Sequence, residues 1–147
     1  MSGTWDATIL SVHVAGTGEP FAVDAVPNGE KFDVVASVRI GRNLMQFVDH
    51  CDLFVSVRNL TRSTTTAYQH QHVTLTPQNV ALNEAFRVQF ASGWTAGDGD
   101  VLEVLATYKV TSGINYDYTM TRSAPFIVLG SSPAAEGPGG DQAPAGR

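Results

Sequence analysis

The chain has 147 residues, 43% of them apolar, and nine Lys and Arg against fourteen Asp and Glu give it a net charge of −5. That is one domain's length, with enough apolar material for a core, and basic residues scattered singly exclude the basic patch that holds nucleic-acid phosphates or anionic lipid. Cys51 is the sole cysteine, which excludes an internal disulfide and a cysteine-built zinc cage.

The N-terminal stretch MSGTWDATILSVHVAG has no basic segment leading into a continuous apolar run, so no secretory leader is expected. No apolar run approaches the ~20 residues of a membrane helix. A soluble, cytoplasmic protein without a membrane partner is the expectation. Thr8 to Val14 reads as the first strand. GTGEP and PNGEK follow as turns; Gly16-Thr17-Gly18-Glu19 lacks the Lys and the following helix that a phosphate loop requires. In FDVVASVRI, Phe32, Val34, Ala36, Val38 and Ile40 share one face, and Asp33, Ser37 and Arg39 the other. IGRNLMQFVDH is the place for a helical turn, and NEAF (residues 83–86) for a shorter one.

Leu53, Val55 and Val57 alternate with Ser56 and Arg58 in the next strand. Just before it stands Asp49-His50-Cys51, where adjacent strand residues point to opposite faces, so His50 is not placed to activate Cys51. Ala67 to Thr76 is a further strand after the polar turn TRSTTT. Phe86, Val88 and Phe90 alternate with Arg87 and Gln89, and Leu102, Val104, Ala106, Tyr108 and Val110 alternate with Glu103, Thr107 and Lys109. AGDGD between these two strands is a turn; Asp98 and Asp100 also raise calcium, without the third acid or the following Glu that a calcium loop uses. Tyr116 to Thr121 folds back on the Tyr108 strand across TSGIN, and Pro125 to Leu129 closes the series. From Gly130 to Arg147 the chain is Gly-, Pro- and Ala-rich and is expected to be a disordered tail, residues 130–147, behind a domain of residues 1–129.

Seven or eight short strands with one wet face each predict an all-β fold, an antiparallel β-sandwich. A jelly roll or a small β-barrel is the alternative. The stretches GEKFDVVASVRI and DGDVLEVLATYKV resemble the second strand and a late strand of immunoglobulin-like domains, including the fibronectin-like ones. The resemblance is one of pattern over Thr4 to Leu129, and it implies a two-sheet sandwich whose end loops or strand edges bind. Trp5 and Trp94 do not occupy the position of the antibody-type core Trp, and the disulfide is missing, so an antibody-type domain is not implied.

Candidate site residues cluster in Tyr68-Gln69-His70-Gln71-His72. Residues i and i+2 of a strand share a face, so His70 and His72 can meet one ion. His13 and His50 are the remaining histidines and Asp49 a nearby carboxylate. Neither the spacing of a cupin nor the histidine count of a copper-zinc dismutase is present. If Val73 and Leu75 face the core, Gln69 and Gln71 do too, and His70 and His72 face solvent with Tyr68, on a strand read as an edge. Tyr116, Tyr118 and Met120 share a face of a late strand, and Trp94 sits in a loop; Tyr, Trp and Met favour contact surfaces. The expected function is therefore a non-enzymatic binding or structural module that contacts a protein partner or a second copy through strand edges or end loops, with Trp94, Tyr116, Tyr118, Tyr68, His70 and His72 as contacts. No cofactor is implied. Two further classes are a small-ligand or carbohydrate binder, and a metal-dependent enzyme centred on His70 and His72.

Overall fold

Period-2 burial organises the molecule. The computed structural model describes residues 6–131. Strand β1 (Ala7–Ala15), β3 (Phe32–Ile40) and β6 (Leu82–Phe90) form a three-stranded sheet in the order β1-β3-β6. A six-stranded sheet packs against it. It contains β2 (Ala25–Pro27), β9 (Phe126–Leu129), β7 (Val101–Ser112), β4 (His50–Asn59) and β5 (Thr64–Thr74), in that order, and β8 (Asn115–Arg122) also pairs with β7. The result is an all-β, sandwich-like structure of two sheets. A single helical turn, α1 (Arg42–Met45), links β3 to β4 where IGRNLMQFVDH predicts one, and buries Leu44 and Met45.

Two features depart from the sequence reading. The large sheet is mixed: β2 runs parallel to β9, pairing Ala25 with Ile127 and Val26 with Val128. Three residues between two turns carry no readable alternation, so this ninth strand leaves no period-2 signal. The stretch read as a short helix, NEAF, lies inside β6, where antiparallel pairing with β3 and burial of Phe86 override local propensity.

Strands β8 and β9 share one edge of β7. β8 pairs along Leu105–Ser112 and β9 along Val101 and Leu102. Ser123 marks the break: its N–H donates to the Val104 carbonyl at 2.9 Å and its Oγ accepts the Val104 N–H at 2.9 Å, so the β7 ladder stays satisfied across the gap. A second irregularity lies between β4 and β5. Arg58 pairs with Thr65 but Val57 pairs with Ala67, which leaves Thr66 as one extra residue on β5.

The core lies between the sheets. Tyr108, Ile40, Leu53, Leu102 and a set of valines are fully buried. At one end Phe32 stacks on Phe90 with ring centroids 5.1 Å apart, and Trp94 meets Phe32 edge-on at 5.6 Å. Trp94 is 8% exposed and its Nε1–H donates to the Glu30 carbonyl at 2.8 Å. Trp94, expected from sequence as a loop-borne contact residue, does lie in a loop, but the loop after β6 folds back over the end of the sandwich and packs the indole into the core.

The same end is fastened by buried polar groups. Asn28 donates to the Ala96 and Gly130 carbonyls and accepts the Ala96 N–H. Asp100 Oδ2 accepts from Asn59 Nδ2 at 2.9 Å, Arg62 Nε at 2.7 Å and Gly97 N at 2.7 Å. Asp98 Oδ1 accepts the Gly130 N–H instead. The two acids of AGDGD thus serve the turn and its neighbours rather than one another. Gly130, the first residue of the expected tail, is tied to the domain, and residues 132–147 lie outside the described part.

Candidate functional site on the outer face of the large sheet

On β4 the odd-numbered residues Cys51, Leu53, Val55 and Val57 enter the core. His50, Asp52, Phe54 and Ser56 therefore face outward. Register carries this face across the sheet. Asp52 stands opposite His72 on β5 and Lys109 on β7, and Lys109 stands opposite Tyr118 on β8. The next row is His70, Phe54, Thr107 and Met120; flanking rows add Tyr68 opposite Ser56 and Tyr116 opposite Thr111. Five of the six residues expected as contacts, Tyr68, His70, His72, Tyr116 and Tyr118, meet on this one face. Trp94, the sixth, is in the core.

Tyr68, Tyr116, Tyr118 and Met120 are each more than half exposed, at 55%, 59%, 58% and 55%. The Tyr116 and Tyr118 rings lie 6.2 Å apart, and Lys109 Nζ sits 4.6 Å from the Tyr116 ring centroid, a cation–π contact. His70 stacks on Phe54 with centroids 4.4 Å apart.

Among the described residues of these rows Asp52 is the one carboxylate, and it is only 8% exposed. Its Oδ1 lies 2.8 Å from His70 Nε2 and 2.7 Å from His72 Nδ1. Its Oδ2 lies 3.7 Å from His50 Nε2, and the His50 and His72 rings are 4.8 Å apart. Burial pushes the Asp52 carboxyl up, but hydrogen bonds from His72 and His70 and their positive charge outweigh that and hold it below its ordinary value.

The parity expected for YQHQH is present: His70 and His72 point outward, and Gln69 reaches across to the Gln89 carbonyl of the opposite sheet. The edge expected here is present as well. Among the described residues β5 pairs with β4 alone, and its eleven residues contain no Lys, Arg, Asp, Glu or Pro, the devices that usually blunt an edge. The nearby carboxylate considered from sequence, Asp49, accepts the Gly113 N–H instead. Its place is taken by Asp52, which sequence reasoning missed. The signal was available, since Asp52 has the parity of His50 and the opposite parity to Leu53.

His50 and Cys51 fall on opposite faces as expected. Cys51 is 1% exposed beside Tyr108, and burial pushes its thiol pKa up, away from the reactive range. The chain matches no protein-family model and no curated protein.

Proposed function

We propose that the chain is a non-enzymatic contact module of immunoglobulin-like architecture, and that the outer face of its large sheet binds a protein partner or a second copy of the chain. The strand order supports the architectural part. One sheet holds β1, β3 and β6; the other holds β4 and β7 side by side, β5 added beside β4, and a broken C-terminal strand on the far edge of β7. Immunoglobulin-like sandwiches divide their A, B, E and their C, F, G strands between two sheets in the same manner.

One observation carries the functional part: Tyr68, Tyr116, Tyr118 and Met120 stay more than half exposed on the face that also presents His70 and His72. Large aromatic and Met side chains gathered on one face are the composition of a contact surface, and the tyrosines give much apolar area for little lost rotamer freedom. The residues lie on the pleated face of the sheet, and the β5 edge lies beside them.

The test combines light scattering over a concentration series with hydrogen exchange of the full chain, in the wild type and in Tyr118→Glu. Self-association, or binding of an isolated partner, should protect β7 and β8, and the substitution should weaken it roughly tenfold or more with the circular dichroism spectrum unchanged. Association that is indifferent to Tyr118→Glu, or a chain that is monomeric at high concentration and binds no protein, refutes the reading. A carbohydrate binder is the second reading, favoured by the two adjacent exposed rings of Tyr116 and Tyr118; a glycan panel read by tyrosine fluorescence separates it from the first.

A further inference from the structure

Asp52 is a carboxylate largely removed from water and surrounded by imidazoles. A lysine is available to it by register, since Lys109 stands directly opposite on β7. Yet Lys109 Nζ turns away onto the Tyr116 ring, and three histidines face the carboxylate instead. His50, Asp52 and His72 each offer one ligand atom within 4.8 Å of the others. In a tetrahedral site with bonds of about 2.0–2.1 Å the ligand atoms stand roughly 3.4 Å apart, so small side-chain rotations close the distance. The backbone needs no change: His50 and Asp52 are two apart on β4, and His72 is Asp52's direct partner on β5.

We propose that His50, Asp52 and His72 form a surface site for a borderline divalent cation, Zn²⁺ or Cu²⁺, with His70 as a positioning residue. Two imidazole nitrogens and one carboxylate oxygen suit these ions, whereas Ca²⁺ and Mg²⁺ favour all-oxygen shells. Three protein ligands leave a fourth position for water or an incoming group. The ring nitrogen that binds the ion gives up its proton to the other ring nitrogen or to solvent, so the imidazole coordinates as a neutral ligand. His70 plays a different part. Its Nε2 lies 2.8 Å from Asp52 Oδ1 while its ring is pinned on Phe54, an outer contact that orients the carboxylate. Cation binding needs no partner on the contact face, because all the ligands come from β4 and β5 of one chain.

The experiment is calorimetric titration of the tag-free full chain, stripped with chelator, with ZnCl₂ and separately with CuCl₂. CaCl₂ and MgCl₂ serve as hard-ion controls and His13→Ala as a control for adventitious histidine binding. One equivalent of Zn²⁺ or Cu²⁺ should bind, and His50→Ala and His72→Ala should each weaken it by roughly a hundredfold or more, while His13→Ala leaves it unchanged. His70→Ala should weaken binding by about 10–100-fold, the range for outer-shell partners, and His70→Gln should restore part of it. The Cu²⁺ electron-spin spectrum should keep its nitrogen couplings in His70→Ala and lose one in His72→Ala. No saturation near one equivalent, affinity indifferent to His50→Ala or His72→Ala, or equal affinity for Ca²⁺ overturns the site. The His50 and His72 side chains are 33% and 52% exposed; with an unchanged circular dichroism spectrum as the check on their fold, these variants decide the question even where Asp52→Asn does not fold.

Discussion

Replacing Tyr108 by Phe should stabilise the protein. Tyr108 is 0% exposed, its hydroxyl completes no hydrogen bond, and its polar neighbour is the Cys51 thiol, a weak acceptor. Burying a hydroxyl without a compensating hydrogen bond costs about 1–3 kcal/mol in protein mutational data. Two terms reduce the gain. A loose thiol contact returns a few tenths of a kcal/mol, about the level of other weak polar contacts. The lost oxygen leaves a void of roughly 10 Å³, which at about 24 cal/mol per Å³ costs ~0.2 kcal/mol. The net gain is about 1 kcal/mol, or roughly 3–6 °C in thermal midpoint for a domain of this size. Urea unfolding should show a higher midpoint at an unchanged slope, and a double-mutant cycle with Cys51→Ala should give a coupling below about 0.5 kcal/mol. A loss of more than about 1 kcal/mol, the worth of an ordinary hydrogen bond, would refute the reasoning, because it would mean that the hydroxyl is well paired.

Gly97→Ala should destabilise mildly, by under about 1 kcal/mol, the range of an exposed ion pair, read by urea unfolding: a Cβ there displaces Arg62 Nη2, the mobile end of an exposed side chain paired with Asp100, and crowds both Asp100 oxygens. Hydrogen bonds from Asn59, Arg62 and Gly97 hold the Asp100 carboxyl at about 2, below its ordinary 3.8. A depressed carboxyl stabilises the fold fully above the unfolded value and loses that contribution as pH falls through the folded one, so stability should drop between about pH 4 and 2, and Asp100→Asn should flatten that slope in pH-dependent unfolding curves. On β5, the amides that do not donate to β4 should exchange fast in dilute monomer and slow down at high concentration if the edge pairs with a second copy; fast exchange at every concentration would leave the pleated face as the contact surface.

Much of this architecture is legible from alternation alone. Phe32 to Ile40 forms a strand at the predicted bounds, and the outward aim of His70 and His72 follows from the inward aim of Val73 and Leu75. Each such inference uses neighbours on the same strand. The misses need something longer in range. Trp94 is in a loop by sequence, and only the way residues 91–100 close over Phe32 makes it a core residue. Asp52 becomes the partner of His72 only once β4 and β5 are paired in register, and β2 exists because β9, a hundred residues later, provides its ladder.

The extra residue on β5 has a consequence for how the histidines come to face outward at all. From Asn59 opposite Thr64 and Arg58 opposite Thr65, an uninterrupted ladder would set Gln71 across from Asp52. The bulge at Thr66 moves the count by one, and a shift of one in a strand exchanges its two faces. Gln-His-Gln-His is polar in either phase, so those four residues scarcely prefer one over the other; Ala67, Val73 and Leu75, packed on the core, and the bulge make the choice. Whether this sheet shows imidazoles or amides to its surroundings is thus decided by groups that do none of the chemistry, the bulge at the hairpin end and the apolar residues Ala67, Val73 and Leu75. A one-residue insertion or deletion at the hairpin end would leave every histidine in the sequence but set the hairpin register against the burial of Val73 and Leu75.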